Sequence, residues 1–222
     1  MKNQTKILLS LTTSALVCLS FPKWNHSSLA WVALVPALVA SARESEAKAF
    51  AYGLLAGWAA FCGILYWIIP TFQAAHVALW TGVLSLLLLA GYVALYYGAF
   101  FAMLSKIRGR FSPDAAVFLG TALWVALEYL RNHFLSGFPW GSLGYSQWRE
   151  PAHIQIARFT GIYGVSALIV FFNLLVSLFI LERTAKRWTL IAAVAIFGFV
   201  FAFSRMGPPE GTPQSPVQFS IL

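Results

Sequence analysis

Charged residues are what this sequence has least of: 10% of its 222 residues are Asp, Glu, Lys or Arg, where a soluble globular chain usually carries roughly 25%. A soluble fold of this size could not cover its apolar surface with so few. Cysteine is scarce as well. Cys18 and Cys62 both lie inside apolar runs, so they carry no information about redox compartment and give neither a disulfide framework nor an activated thiol. There is no G-x-S-x-G, no P-loop, and no cluster of Cys, His or carboxylate residues at metal-ligand spacing. The signatures of serine hydrolases, nucleotide enzymes and metal centres are therefore missing, and neither a metal nor a cofactor is expected. Glu128 and His133 are present, but no suitable nucleophile accompanies them. A small-x-small cleavage site followed by a polar mature domain is missing too. Lys2, Lys6 and the apolar stretch after them accordingly read as a retained first helix rather than a removed signal peptide.

What is present is apolar: 59% of the residues are hydrophobic, and they come in long runs. Seven segments, at about 7–21, 28–42, 50–69, 74–104, 115–130, 154–181 and 188–204, predict an all-α fold. This is a polytopic helical membrane bundle of about seven transmembrane helices, because a hydrocarbon core about 30 Å thick takes roughly 20 helical residues to cross. The first, second and fifth segments are short, and charge decides that they span. With all seven crossing and the N-terminus cytoplasmic, ten basic residues (Lys2, Lys6, Arg43, Lys48, Lys106, Arg108, Arg110, Arg183, Lys186 and Arg187) share the inner side. Five (Lys23, Arg131, Arg149, Arg158 and Arg205) fall outside. Removing 28–42 would send Lys106, Arg108 and Arg110 outward, against the positive-inside rule. The net charge of +8 is thus a topology signal and not a nucleic-acid groove. Gly53 and Gly57 form a G-x-x-x-G suited to close helix packing, and Tyr92, Tyr96 and Tyr97 read as an aromatic belt near the cytoplasmic interface. Residues 206–222 are rich in Pro and Gly and then strand-like from Val217 to Leu222. A strand needs a partner edge, so 206–222 reads as a linker and the first strand of a further domain, and the chain as part of a longer protein.

Chemistry is concentrated between the fifth and sixth segments. Glu128-Tyr129-Leu130-Arg131 leads into Gly137-Phe138-Pro139-Trp140-Gly141 and then Leu143-Gly144-Tyr145-Ser146-Gln147. A polar exterior loop has no need of Phe134, Leu135, Phe138, Trp140, Leu143 and Tyr145, so this stretch is expected to lie along or dip into the membrane interface. Glu128 and Arg131, three apart on a helix, are expected to pair as a clamp for the loop; the sharper alternative is Arg131 on a lipid phosphate. Tyr66-Trp67 closes the third segment, Gly161-Ile162-Tyr163-Gly164 can bend the sixth near its exterior end, and Asn173 reads as a buried interhelical hydrogen-bond partner.

Those residues also carry a resemblance. The run Leu123 to Arg131, with Gly137-Phe138-Pro139-Trp140, Leu143-Gly144-Tyr145-Ser146-Gln147, Gly161-Ile162-Tyr163-Gly164-Val165-Ser166, Asn173 and Tyr66-Trp67, resembles the signature of bacterial apolipoprotein N-acyltransferases. The resemblance implies a multi-pass protein of the bacterial inner membrane, with residues 206–222 on the periplasmic side. It implies transfer of an acyl chain from a phospholipid, typically phosphatidylethanolamine, to the amine of a lipoprotein's N-terminal diacylglyceryl-cysteine. The reaction proceeds through a thioester on a Glu-Lys-Cys triad in a nitrilase-like domain expected beyond Leu222, so no catalytic residue is assigned here and this chain alone is expected to be inactive. Phospholipid and lipoprotein substrates are the implied partners, nucleic acid is not, and a monomer is expected. The candidate lipid-contact or positioning residues are Trp67, Glu128, Arg131, Gly137, Phe138, Pro139, Trp140, Gly144, Tyr145, Gln147 and Tyr163. The competing readings are a non-catalytic lipid-binding scaffold and a transporter-like protein. Against the latter, no internal repeat is found, and Glu128 and Arg131 lie near one end of their segment, away from the midplane.

Overall fold

Backbone groups inside lipid must satisfy one another, which makes helices of the apolar runs. The computed structural model describes residues 1–150 and 154–182, together with Ile191, Val194, Ala195 and Gly198. Within them lie α1 (Asn3–Ser20), a 3-10 turn (Ser27–Trp31), α2 (Val35–Ser41), α3 (Glu46–Ile64), α4 (Ile68–Ala74), α5 (Leu79–Arg110), α6 (Pro113–His133), two further 3-10 turns (Phe134–Ser136 and Leu143–Gln147) and α7 (Ala157–Glu182). The fold is all-α, and α3, α5, α6 and α7 are each long and apolar enough to cross a membrane. The protein is a multi-pass membrane protein. All of the expected span 188–204 except Ile191, Val194, Ala195 and Gly198, the 206–222 linker and strand, and the sidedness of Arg183, Lys186, Arg187 and Arg205 lie outside the described residues.

Helix α3 packs on α1 and, most extensively, on α5; α6 joins α5 to α7, and α2 sits inside this ring, touching α1, α3, α5 and α7. The G-x-x-x-G is the closest part of the α3–α5 seam. A Cβ on Gly57 would stand 2.8 Å from Tyr97 Cβ, and one on Gly53 2.6 Å from Phe101 Cδ2. Gly57→Val therefore forces the helices apart, and we expect a loss of about 1–3 kcal/mol in unfolding titrations of the detergent-solubilised protein.

Three expected segments are corrected in form. The 28–42 segment is not one helix: Pro36 occupies the first turn of α2, and its ring would clash with the Val32 carbonyl of a continuous helix. The chain breaks at residues 32–34, and Asn173 fills the break. Its Oδ1 accepts from Leu34 N at 2.8 Å, and its Nδ2 donates to Ala30 O at 2.9 Å and to Ile169 O at 2.8 Å. Thr13 Oγ1 accepts from Ala37 N at 3.0 Å. The segment still runs from one end of the bundle to the other. Ser27 Oγ donates to Glu150 Oε1 and Trp31 Nε1 to Gln147 Oε1 at one end, while Ser105 Oγ donates to Glu44 O and Arg108 Nη1 to Leu38 O at the other. The 50–69 segment stops at Ile64, and α4 restarts at Ile68 because Pro70 is tolerated only in a helix's first turn. The 74–104 segment is shifted: residues 75–78 form a turn, with His76 at φ +57°, and α5 runs on to Arg110. Its 32 residues extend about 48 Å, well past a core of about 30 Å. Tyr97 also departs from the belt reading. It is 3% exposed, and its ring meets Phe61 and Trp124 edge-on.

At the Lys6 end, Lys6 pairs with Glu44, which Lys48 Nζ also approaches at 3.7 Å. The hydrogen bond from Lys6, aided by the charges of Lys6 and Lys48, holds the Glu44 carboxyl below its ordinary range. A carboxylate whose pKa is lowered on folding stabilises the fold above its unfolded value, and that contribution disappears as pH falls through the folded value. Thermal unfolding in detergent should therefore show melting temperature falling as pH drops through the acidic range, with a shallower fall in Glu44→Gln.

Candidate functional site

The stretch after α6 is built to fold back on the bundle. Ser112 caps the start of α6, its Oγ accepting from Ala115 N, and α6 ends at His133, where Phe134 turns extended. The return needs Gly137, which has φ +81°; a Cβ there would lie 2.2 Å from Asn132 O. Phe138 N then donates to Arg131 O at 3.0 Å, closing the turn.

Four buried polar side chains fix the loop beyond that turn. Glu128, 5% exposed, accepts from Leu143 N on Oε1 at 2.8 Å. Arg131, 3% exposed, donates from Nη2 to Ser142 Oγ at 3.0 Å, with its guanidinium 5.8 Å from the Phe61 ring centroid. Ser166 Oγ accepts from Gly144 N at 2.8 Å, and a Cβ on Gly144 would come within 2.7 Å of Ile162 O. Gln147 is fully buried and donates from Nε2 to Ser27 O at 2.9 Å while Oε1 accepts from Trp31. The expected direct pair between Glu128 and Arg131 is corrected: no salt bridge joins the two, and each takes a different point of the loop. The loop competes successfully for both side chains, and Arg131 is turned inward, away from lipid headgroups. Asn132 adds a link to α7. In the amide orientation that satisfies both its ends, nitrogen donates to Glu128 O and Phe138 O at 3.2 Å, and oxygen accepts from Tyr163 OH at 3.1 Å.

The anchored loop forms one wall of a cleft of about 600 Å³ at the end away from Lys6. Pro139, Trp140, Gly141, Tyr145 and Trp148 face Tyr66, Trp67 and the turn after α1, Phe21-Pro22-Lys23. Trp67 and Trp140 meet edge to face at 4.6 Å between centroids, with Phe138 6.3 Å from Trp140. Gly141, at φ +73°, lets the backbone approach Phe61, whose Cε1 would be 2.5 Å from a Cβ. Lys23, at φ +91°, holds its Nζ 4.1 Å from the Tyr66 ring centroid. A second, largely apolar groove of about 830 Å³ runs between α6 and α7, lined by Phe118, Val125, Tyr129, Tyr163 and Phe171 among others.

The predicted residues thus divide by position. Trp67, Pro139, Trp140 and Tyr145 line the cleft, while Glu128, Arg131, Gly137, Gly144 and Gln147 position its wall. Phe138 packs behind Trp140, and Tyr163 lines the other groove. Sequence reasoning did not single out Lys23, Trp148, Asn132 or Ser142 as site residues. Lys23 beside Trp24 and Tyr66 could have been suspected as a cation among interfacial aromatics, but the loop partners could not, since their bonds span distant segments. Chemically the cleft offers aromatic faces, one cation and an apolar floor, which suit an amphiphile with an anionic group. Among the described residues no group of three or more His, Cys, Asp or Glu is placed to hold a metal.

Comparison with known proteins gives an independent finding. Residues 13–175 match the family model described as apolipoprotein N-acyltransferase N-terminal domain. An apolipoprotein N-acyltransferase of Geobacter metallireducens is 38% identical over 215 residues, covering 92% of this chain and 40% of its own. That of Methylococcus capsulatus is 30% identical over 218 residues, covering 93% and 42%. Apolipoprotein N-acyltransferase 1 of Treponema denticola is 29% identical over 180 residues, covering 79% and 31%. The chain therefore spans less than half the length of these relatives.

Proposed function

Since the chain belongs to the apolipoprotein N-acyltransferase family through that N-terminal domain, we propose that it is the membrane part of a phospholipid:apolipoprotein N-acyltransferase, and that its aromatic cleft receives the lipid substrates. The cleft carries this reading. It joins three stretches distant in sequence, around Lys23, Trp67 and Trp140, into one aromatic surface with a cation at its edge.

The energetics favour such a part. Each lipid methylene brought out of the bilayer costs about 0.8 kcal/mol, so substrates with two or three acyl tails stay in the membrane and the catalytic centre must come to them. A cleft on a bundle end does this by presenting aromatic edges at headgroup depth while the tails remain in lipid. In this reading the Trp140 end faces the periplasm of a bacterial inner membrane and the Lys6–Glu44 end the cytosol. Acyl transfer itself, from phosphatidylethanolamine to the amine of a diacylglyceryl-cysteine, belongs to the nitrilase-like domain of the family, whose Glu-Lys-Cys triad lies outside this sequence.

Trp140→Ala tests the reading in a protein that joins this chain to the family's catalytic domain. Loss of one buried aromatic contact with substrate, about 1.4 kcal/mol or more, lowers acyl transfer on phospholipid about tenfold. Trp140→Phe should restore most of the rate, and a short water-soluble ester should be turned over as by the unaltered protein. An unchanged rate on phospholipid would remove the cleft from the reaction.

A further inference from the structure

Behind the anchored loop, α5 and α6 line a small half-open pocket of about 20 Å³ between Tyr96, Tyr97, Phe100, Trp124, Glu128 and Arg131. Three buried polar atoms of its lining residues, Trp124 Nε1, Glu128 Oε2 and Arg131 Nε, have no hydrogen-bond partner in the protein. Two are N–H donors and one is a carboxylate oxygen, so the occupant must accept twice and donate at least once. A cation cannot accept from the two N–H groups. An anion cannot donate to the carboxylate, and an apolar group can do neither. The volume is also small: one water needs roughly 10–15 Å³ of such space.

We propose that this pocket is a built site for a single buried water molecule, held by Trp124 Nε1–H and Arg131 Nε–H and donating to Glu128 Oε2. The same two ionisable side chains use their remaining atoms, Oε1 and Nη2, on Leu143 N and Ser142 Oγ. The water therefore links Trp124, in the core of the bundle, to the two residues that start the cleft wall, and it does for Glu128 and Arg131 what a direct ion pair would have done. Its site depends on these residues alone and not on the acyl-transfer reading.

Radiolytic hydroxyl labelling of the detergent-solubilised chain, read by mass spectrometry and normalised to each residue type's intrinsic reactivity, tests this, because a trapped water is itself a local radical source. Tyr97 and Trp124, both nearly inaccessible from the surface, should label about threefold or more faster than Phe61 and Phe101, which are slightly more buried still, as expected beside an ordered internal water. Trp124→Phe, which keeps an aromatic side chain, though a smaller one, and removes one donor, should bring Tyr97 labelling down towards that baseline. Labelling of Tyr97 in the unaltered chain no faster than Phe61 and Phe101 would show a dry pocket and overturn the proposal. Tyr97 labelling unchanged in Trp124→Phe would overturn the three-point site.

Discussion

Glu128→Ala should lower the stability of the solubilised bundle by about 3–5 kcal/mol, the range for removing one partner of a buried charged network. Two losses combine. The Leu143 N–H loses its acceptor, and Arg131, 3% exposed, keeps its charge with no carboxylate nearby. Glu128→Gln separates the two, because its amide oxygen can still accept from Leu143 N while the charge is gone; its loss should be intermediate. Equilibrium unfolding in detergent measures both. The alanine variant should also expose Trp140 and Tyr145 further, since the loop loses its first anchor. A loss below about 1 kcal/mol, within the ordinary range of surface substitutions, would mean that the loop is held by something other than α6.

Asn173→Leu should cost about 1–3 kcal/mol, because it strands the Leu34 N–H, whose acceptor is the Asn173 amide, and a buried unsatisfied group costs that much. Leu shares the branching of Asn but is larger, so some overpacking of the buried site adds to the polar loss. The fully buried Asn173 amide holds Leu34 N and Ala30 O, the ends of the break in the segment between α1 and α3. Without it Leu34 N faces an apolar interior with no acceptor, while Val32 N and Ala33 N keep Leu29 O and Ala30 O. Asn173→Asp, protonated in that setting, keeps the acceptor and one donor and should fall between. Hydrogen exchange would localise the effect: Leu34 should lose its protection in Asn173→Leu while α5 keeps its own. Exchange at Leu34 as slow as in the unaltered chain would contradict this.

How far the sequence disclosed these features depends on the range of the forces involved. Helices α5, α6 and α7 were legible because a long apolar run in lipid has one main solution, and the packing role of Gly57 was legible because i, i+4 spacing alone places two small residues on one face. The 28–42 segment misled by hydropathy, which counts side chains and not backbone hydrogen bonds. Pro36 was the local sign of the break, but the residue that makes the break tolerable, Asn173, lies 139 positions from Leu34. The Glu128–Arg131 spacing predicted a pair on an isolated helix; in the fold the loop competes for both side chains and takes them. Tyr97 read as a belt residue because its neighbours Tyr92 and Tyr96 are tyrosines. Its burial is set by Gly57 and Trp124 on other helices, which no reading of α5 alone could supply. The aromatic cleft was half visible: the 138–145 stretch announced one wall, while the facing Lys23 and Tyr66 arrive only through the packing of α1 on α3.

The account turns on the cleft and the Lys6–Glu44 cluster lying on opposite sides of a membrane, with the cleft outward. Single cysteines placed by Tyr145→Cys and by Arg43→Cys, with Cys18 and Cys62 replaced by serine, can be exposed to a membrane-impermeant maleimide in intact spheroplasts. The cysteine at position 145 should label at once, and the one at position 43 only after the membrane is permeabilised. Labelling of position 43 in intact spheroplasts, or of both positions together, would contradict it.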